Sequence, residues 1–121
     1  MALILVVDDD AHVRGLVADT LAQDGHEVDM AQDGVDALYL LKRRSYDVIV
    51  SDLRMPMLDG PGLDRALQQR YAAALPRVIF ITGYADAEPY TAFLAQTGDP
   101  VLMKPFTSDE LRLMIQWVLE T

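Results

Sequence analysis

Three consecutive acids, Asp8-Asp9-Asp10, follow the apolar run Ile4-Leu5-Val6-Val7. A lone acid, Asp52, follows a second run, Val48-Ile49-Val50, with Ser51 between them. Thr82 closes a third, Val78-Ile79-Phe80-Ile81, and is followed by the small Gly83. Lys104 follows Val101-Leu102-Met103 and precedes Pro105. Carboxylates brought to one place repel each other and tend to protonate unless a cation lies among them. Oxygen donors without Cys or His suit a hard divalent ion, Mg2+ or a close substitute such as Mn2+. An ammonium opposite the ion and a hydroxyl beside it would hold and neutralise phosphoryl oxygens. These are the parts that phosphoryl transfer needs. A carboxylate can also be the nucleophile, forming an acyl phosphate. Asp52 is the candidate for that role, because it stands alone after a buried run. Asp8 and Asp9, adjacent on the chain, are better suited to hold metal.

Each of these residues has a plainer reading when taken singly. An acid after a strand is commonly a helix N-cap, which is the reading for Asp10. Thr82 could be an ordinary β-branched strand residue and Lys104 a surface charge. The joint reading is stronger, because acids, hydroxyl and ammonium occupy the ends of four different strands.

Bringing them together requires those strand ends to share one edge of a sheet. The strands are expected at Leu3–Val7, Glu27–Ala31, Val48–Ser51, Val78–Thr82 and Val101–Met103. Several are apolar on both faces, as in a parallel sheet covered on both sides. Helical spacing fills the gaps. Val13, Leu16, Val17 and Leu21 form one apolar face, and Leu111, Met114, Ile115, Val118 and Leu119 form another. Thr107 and Glu110 make a capping box before the last helix. Pro89 is expected in a first helical turn and Pro100 at a strand start. Gly60-Pro61-Gly62 reads as a loop leading into the third helix. Five such βα units make a doubly wound α/β fold with helices on both faces. Its ligands bind at the carboxyl ends of the strands.

A chain of 121 residues suits one compact domain, 1–121. Its length lets it bury roughly two-thirds of its unfolded surface, so it needs no covalent staple. It has no cysteine, which fits a reducing cytoplasm. No apolar run approaches the ~18 residues needed to span a bilayer, and the N-terminus lacks the features of a signal peptide. A net charge of −9 argues against nucleic-acid binding by this domain. The basic cluster Lys42-Arg43-Arg44 is read as complementing a helix C-terminus.

Val6-Val7-Asp8-Asp9-Asp10, Ser51-Asp52-Leu53-Arg54-Met55-Pro56 with Asp59-Gly60, Ile81-Thr82-Gly83 and Lys104-Pro105-Phe106 together resemble the receiver domain of response regulators in two-component signalling. The resemblance runs from Leu3 to about Leu119. It implies a flavodoxin-like five-stranded sheet of order 2-1-3-4-5. It implies that Asp52 accepts a phosphoryl group from a phosphohistidine on a histidine kinase or phosphotransfer protein. Asp9, Asp52 and the backbone carbonyl of Arg54 would hold Mg2+, with Asp8 acting partly through water. Lys104 would pair with phosphoryl oxygens and Thr82 would swing to report them. The Lys104–Pro105 bond would be cis. Homodimers through the fourth helix, fifth strand and fifth helix are a family habit.

This chain departs from the family pattern at the switch aromatic, three residues before the lysine, where Val101 stands. Arg54 and Tyr84 occupy positions that tune hydrolysis of the acyl phosphate, and their bulk implies slow self-dephosphorylation. Thr97-Gly98-Asp99-Pro100-Val101-Leu102 is similar to receivers attached to hybrid sensor kinases. Two rivals remain. One is a haloacid-dehalogenase-like phosphohydrolase with Asp8 as nucleophile, for which Asp109 and Glu110 would have to be a catalytic pair. The other is a receiver-like binding module that is never phosphorylated. His12 and His26 have no metal spacing and read as solvated, with His12 placed to touch a kinase partner.

Overall fold

A computed structural model describes residues 1–83 and 87–121. β1 (Leu3–Val7) leads through α1 (Ala11–Gln23) to β2 (Glu27–Ala31), and α2 (Gly34–Leu41) leads to β3 (Val48–Asp52). Then come α3 (Gly60–Arg70), a short 3₁₀ turn (Ala72–Ala74), β4 (Arg77–Thr82), α4 (Tyr90–Thr97), β5 (Val101–Met103) and α5 (Ser108–Glu120). The sheet is parallel throughout, in the order β2-β1-β3-β4-β5. This is the flavodoxin-like, doubly wound arrangement expected from the sequence.

Alternation along the strands divides the core in two, because successive side chains point to opposite faces. Ile4, Val6, Val48, Val50, Ile79 and Ile81 pack under α1 and α5, against Val17, Leu21, Leu111, Ile115 and Val118. Leu5, Val7, Ile49 and Phe80 pack on the other face with Ala37, Leu41, Leu63 and Leu67 of α2 and α3. α4 has no fully buried residue. It adheres through Phe93, whose ring meets Phe80 edge-on at 5.3 Å. Truncating a fully buried side chain such as Ile79 to Ala costs about 2–5 kcal/mol.

The helix starts carry their own signals. Asp10 caps α1, accepting from the backbone N–H of His12 and of Val13. Thr107 and Glu110 form the capping box of α5. Gly60-Pro61-Gly62 is the first turn of α3, capped by Asp59, and not a loop before it. Proline fits there because a first-turn N–H has no intrahelical acceptor to lose. Pro89 stands at the N-cap of α4, one position before the expected first turn. Pro100 directly precedes edge strand β5. The Lys104–Pro105 bond is cis, as expected, and so is Glu88–Pro89.

Two apolar faces are narrower than their spacing implied. Leu16 is 52% exposed and Leu119 is 41% exposed. A helix lying on a sheet buries only the stripe that touches it, and both residues fall beyond that stripe. Side chains from the segment between α2 and β3 reach the edge strand β2. Arg44 pairs with Glu27 and Asp29, and the buried Tyr46 donates its hydroxyl to Asp29 at 2.6 Å. Lys42 is the C-cap of α2, and Arg43 lies over the Tyr39 ring. His26 is half-buried, its Nδ1 accepting the Ala2 N–H, so it is not simply solvated. His12 is exposed.

Candidate phosphoryl-transfer site

Register places the acids. Val7 is level with Ser51 across the β1–β3 ladder, so the residues that follow, Asp8 and Asp52, stand side by side. Asp52 is level with Ile81, and Thr82 with Met103. Lys104 lies beyond that row, and its backbone N–H donates to the carbonyl of Thr82 at 2.8 Å. Its long side chain spans the intervening strand. The ammonium donates to Oδ2 of Asp8 and to Oδ2 of Asp52, each at 3.1 Å.

Asp8 is fully buried, and both of its carboxylate oxygens are engaged. Oδ2 meets Lys104, and Oδ1 accepts the N–H of Asp10 at 3.0 Å. Asp9 is exposed. Asp8, Asp9 and Asp52 each offer an oxygen, and these oxygens lie within 4.8 Å of one another. Among the described residues no other group of three such side chains converges. Asp9, Asp10, Asp52, Arg54, Met55, Pro56 and Lys104 line a shallow cleft of 540 Å³ open to solvent. Thr82 ends β4 as expected but is fully buried and is not part of that lining.

The electrostatics follow from this crowding. Burial pushes the Asp52 carboxyl up from its ordinary range, and the neighbouring Asp8 pushes it further. Lys104 and the backbone at Arg54 pull it only part of the way back. For Lys104, burial works against the ammonium, but the carboxylates of Asp52 and Asp8 outweigh it and raise its pKa. The donor set therefore fits a hard divalent cation. It is all oxygen, close-packed, and short of positive charge with Lys104 alone.

Sequence reasoning missed one supporting residue. Nη1 of Arg14 donates to the backbone carbonyl of Asp8 at 2.8 Å. Arg14 lies four residues past the Asp10 cap, one helical turn into α1, where the chain has turned back toward the strand end. A lone arginine on a helix carries no signal of that contact. Tyr84, expected beside the cleft, lies outside the described residues. A separate groove of 480 Å³ runs between α3 and the end of α4, with Asp64, Arg65 and Asp99 on its walls. Burial and Asp64 push the Asp99 carboxyl up to about 6.

Known proteins share this fold. The response regulator receiver domain family matches residues 4–116. The sensor histidine kinase RcsC of Salmonella typhi is 40% identical over 110 residues, which are 91% of this chain and 11% of that protein. The chain thus spans about a tenth of the length of the curated sensor kinases it matches. The receiver domain of the Francisella response regulator 1452 superposes with a TM-score of 0.85 at 31% identity, covering 99% of this chain and 98% of that one. Response regulator TrrA of Thermotoga maritima, solved in complex with Mg2+-BeF, gives 0.83 at 27% identity, covering 98% and 99%. With its strand order, its acidic cluster positioned for metal coordination and phosphoryl transfer, and this match over nearly its whole length, the chain belongs to the response regulator receiver domain family of two-component systems.

Proposed function

We propose that Asp52 is the phosphoacceptor and takes its phosphoryl group from a phosphohistidine on a histidine kinase or histidine phosphotransfer protein. The observation that carries this reading is the pairing of Asp52 with Lys104 at the solvent-facing end of β3, beside Asp8 and Asp9. Asp9 and Asp52, with the backbone carbonyl of Arg54, would hold Mg2+ or Mn2+, and Asp8 would join them partly through water. The Mg2+-BeF complex of the Thermotoga relative supports that choice of ion. A cation bound there would supply positive charge to the carboxylates and to the transferring oxygens.

An Oδ of Asp52 attacks phosphorus while the P–N bond to the donor imidazole breaks. The bonding electron pair stays on that nitrogen, and the ring leaves neutral when its other nitrogen carries a proton. Lys104 is already within reach of Asp52 and supplies charge to the oxygens as they move. Thr82 would leave its buried position to bind a phosphoryl oxygen and so report phosphorylation to α4 and β5. With Val101 at the switch-aromatic position, that report would travel through backbone and packing. The exposed Met103, Leu113 and Trp117 are suited to a homodimer through α4, β5 and α5. Arg54, exposed on the cleft wall, would shield the acyl phosphate and make self-dephosphorylation slow.

The phosphohydrolase alternative has weaker support. Its nucleophile would be Asp8, which is buried and fully engaged. Glu110 is committed to the cap of α5, and Asp109 is exposed beside it. The domain is read as a single receiver, 1–121, working in the cytoplasm without nucleic acid or membrane. No helix of the described residues is long and apolar enough to cross a bilayer.

Incubation with acetyl phosphate, with and without Mg2+, followed by intact mass, tests the assignment. The expected result is one Mg2+-dependent phosphoryl group in the wild type and in Asp8→Asn at a reduced rate, and none in Asp52→Asn. Labelling that survives Asp52→Asn but not Asp8→Asn would transfer the case to the phosphohydrolase.

A further inference from the structure

Just beyond the cleft wall the backbone takes a costly conformation at a residue whose side chain is exposed. Met57 adopts φ 72, the only positive φ at a non-glycine among the described residues. The N–H of Leu58 donates to the carbonyl of Pro56 at 2.8 Å. An i to i+2 hydrogen bond with that φ at the central residue is a γ-turn of the rare, strained hand. A side chain with Cβ disfavours the left-handed region, and strain of this kind persists only where the surroundings over-determine it.

The surroundings here are two glycines. The N–H of Gly34 donates to the carbonyl of Leu58 at 3.2 Å. A Cβ on Gly34 would collide with the backbone of Leu58, and one on Gly62 would come within 2.5 Å of the Leu58 side chain. Leu58 is thus wedged between the start of α2 and the first turn of α3. The turn that delivers it there must reverse at Met57. The same constraint throws the Met57 side chain outward, where it is 79% exposed. It is an apolar knob on a turn tied by the Leu58 N–H to Pro56 and by the Gly34 N–H to the Leu58 carbonyl. Its neighbour Pro56 is part of the cleft lining beside Asp52.

We propose, resting on the phosphorelay reading above, that Met57 is a docking residue for the phosphohistidine protein and inserts into an apolar recess on that partner beside the donor histidine. A protein that delivers a phosphoryl group to Asp52 must close over the cleft rim, and among the described residues Pro56-Met57 projects apolar surface there. The partner's recess is therefore apolar, a match for an unbranched, adaptable thioether side chain. Acetyl phosphate is small enough to enter the cleft without touching it.

The experiment compares wild type, Met57→Gly and Met57→Leu as acceptors from two donors. One donor is acetyl phosphate. The other is chosen from a panel of ATP-charged histidine kinase cores and phosphotransfer domains, as the one that transfers fastest to the wild type. Met57→Gly suits the turn's backbone and deletes the knob, so its melting temperature should not fall. Transfer from the protein donor is expected to drop about ten-fold in Met57→Gly, the loss typical of an interface anchor. Met57→Leu should restore most of it, and labelling by acetyl phosphate should stay within about two-fold in all three. Equal transfer from the protein donor to Met57→Gly and wild type would overturn the docking role, as would equal losses with both donors. Transfer from no member of the panel while acetyl phosphate still labels Asp52 would also overturn it. Failure of acetyl phosphate to label the wild type would instead remove the phosphoacceptor reading beneath it.

Discussion

Nζ of Lys104 and Oδ2 of Asp52 meet at 3.1 Å, although the residues are 52 positions apart in the chain. The same ammonium holds Asp8 at the same distance, so one cation is shared by two carboxylates. One positive charge between two negative ones leaves the site under-neutralised, and that imbalance has measurable consequences.

The Asp52 carboxyl is raised by burial and by Asp8, with Lys104 offsetting only part of the effect. For a raised carboxyl, the stabilising contribution is fully present below its unfolded pKa and lost as pH rises through the folded value. At neutral pH without divalent cation, Asp52 is therefore a net cost to the fold. Asp52→Asn should melt a few degrees above wild type under those conditions. Mg2+ should then raise the melting temperature of the wild type more than that of the variant. Scanning calorimetry with EDTA and with Mg2+ checks both statements. An Asn variant that melts below wild type in EDTA would mean that the Lys104 pairing outweighs the crowding.

Arg14 touches no part of the cleft, yet its guanidinium grips the carbonyl of Asp8. It should act by holding the Asp8-Asp9 backbone in place. Outer contacts of this kind typically change metal affinity by 10–100-fold. Arg14→Ala is expected to weaken Mg2+ binding about ten-fold by isothermal titration calorimetry, with Arg14→Lys recovering part of the loss. Unchanged affinity in Arg14→Ala would make the contact merely structural.

The groove between α3 and α4 should titrate. Asp99 is pushed up to about 6 by burial and then by Asp64. Burial raises the Asp64 carboxyl as well, and Arg65 is the cation on that wall. By the same sign rule, the contribution of Asp99 is fully present below 3.8 and lost as pH rises through about 6. Urea unfolding across pH 4 to 7 should show Asp99→Asn gaining on wild type over that interval and levelling off above it. Parallel curves for the two proteins would rule this out.

Tyr46 is buried with its hydroxyl on Asp29, where Arg44 also binds. Burial and this hydrogen bond push its phenol well up, so it stays protonated at any ordinary pH. Tyr46→Phe keeps the ring packing and removes one hydrogen bond to a charged acceptor. It should cost about 1–2 kcal/mol in equilibrium unfolding without changing acetyl phosphate labelling, because the β2 edge is remote from the cleft lining.

Hydrophobic pattern and strand-end chemistry were legible in the sequence. Runs such as Ile4-Leu5-Val6-Val7 can be satisfied only by burial on both faces, which demands a covered parallel sheet. Such a sheet must gather Asp8, Asp52, Thr82 and Lys104 at one edge. Caps were equally local. Asp10, Thr107 and Glu110 bond to backbone groups within three residues, so their partners could be read off by counting.

Tertiary structure decided whatever depended on which neighbours meet. The spacing of Leu16 matches that of Val17 and Leu21, but only the packed sheet shows where the buried stripe of α1 ends. The start of α3 at Gly60 reflects the Asp59 cap, while the Gly-Pro-Gly composition alone suggests a loop. The bond from Arg14 to Asp8, the facing carboxylates of Asp64 and Asp99, and the strained turn at Met57 leave no periodic trace. Each arises from contacts between elements whose separation along the chain carries no information about distance. The sequence alone therefore specified which chemistry could be assembled. Only the packing of α1, α3 and the β3–α3 turn around it decided how those groups are held, charged and presented.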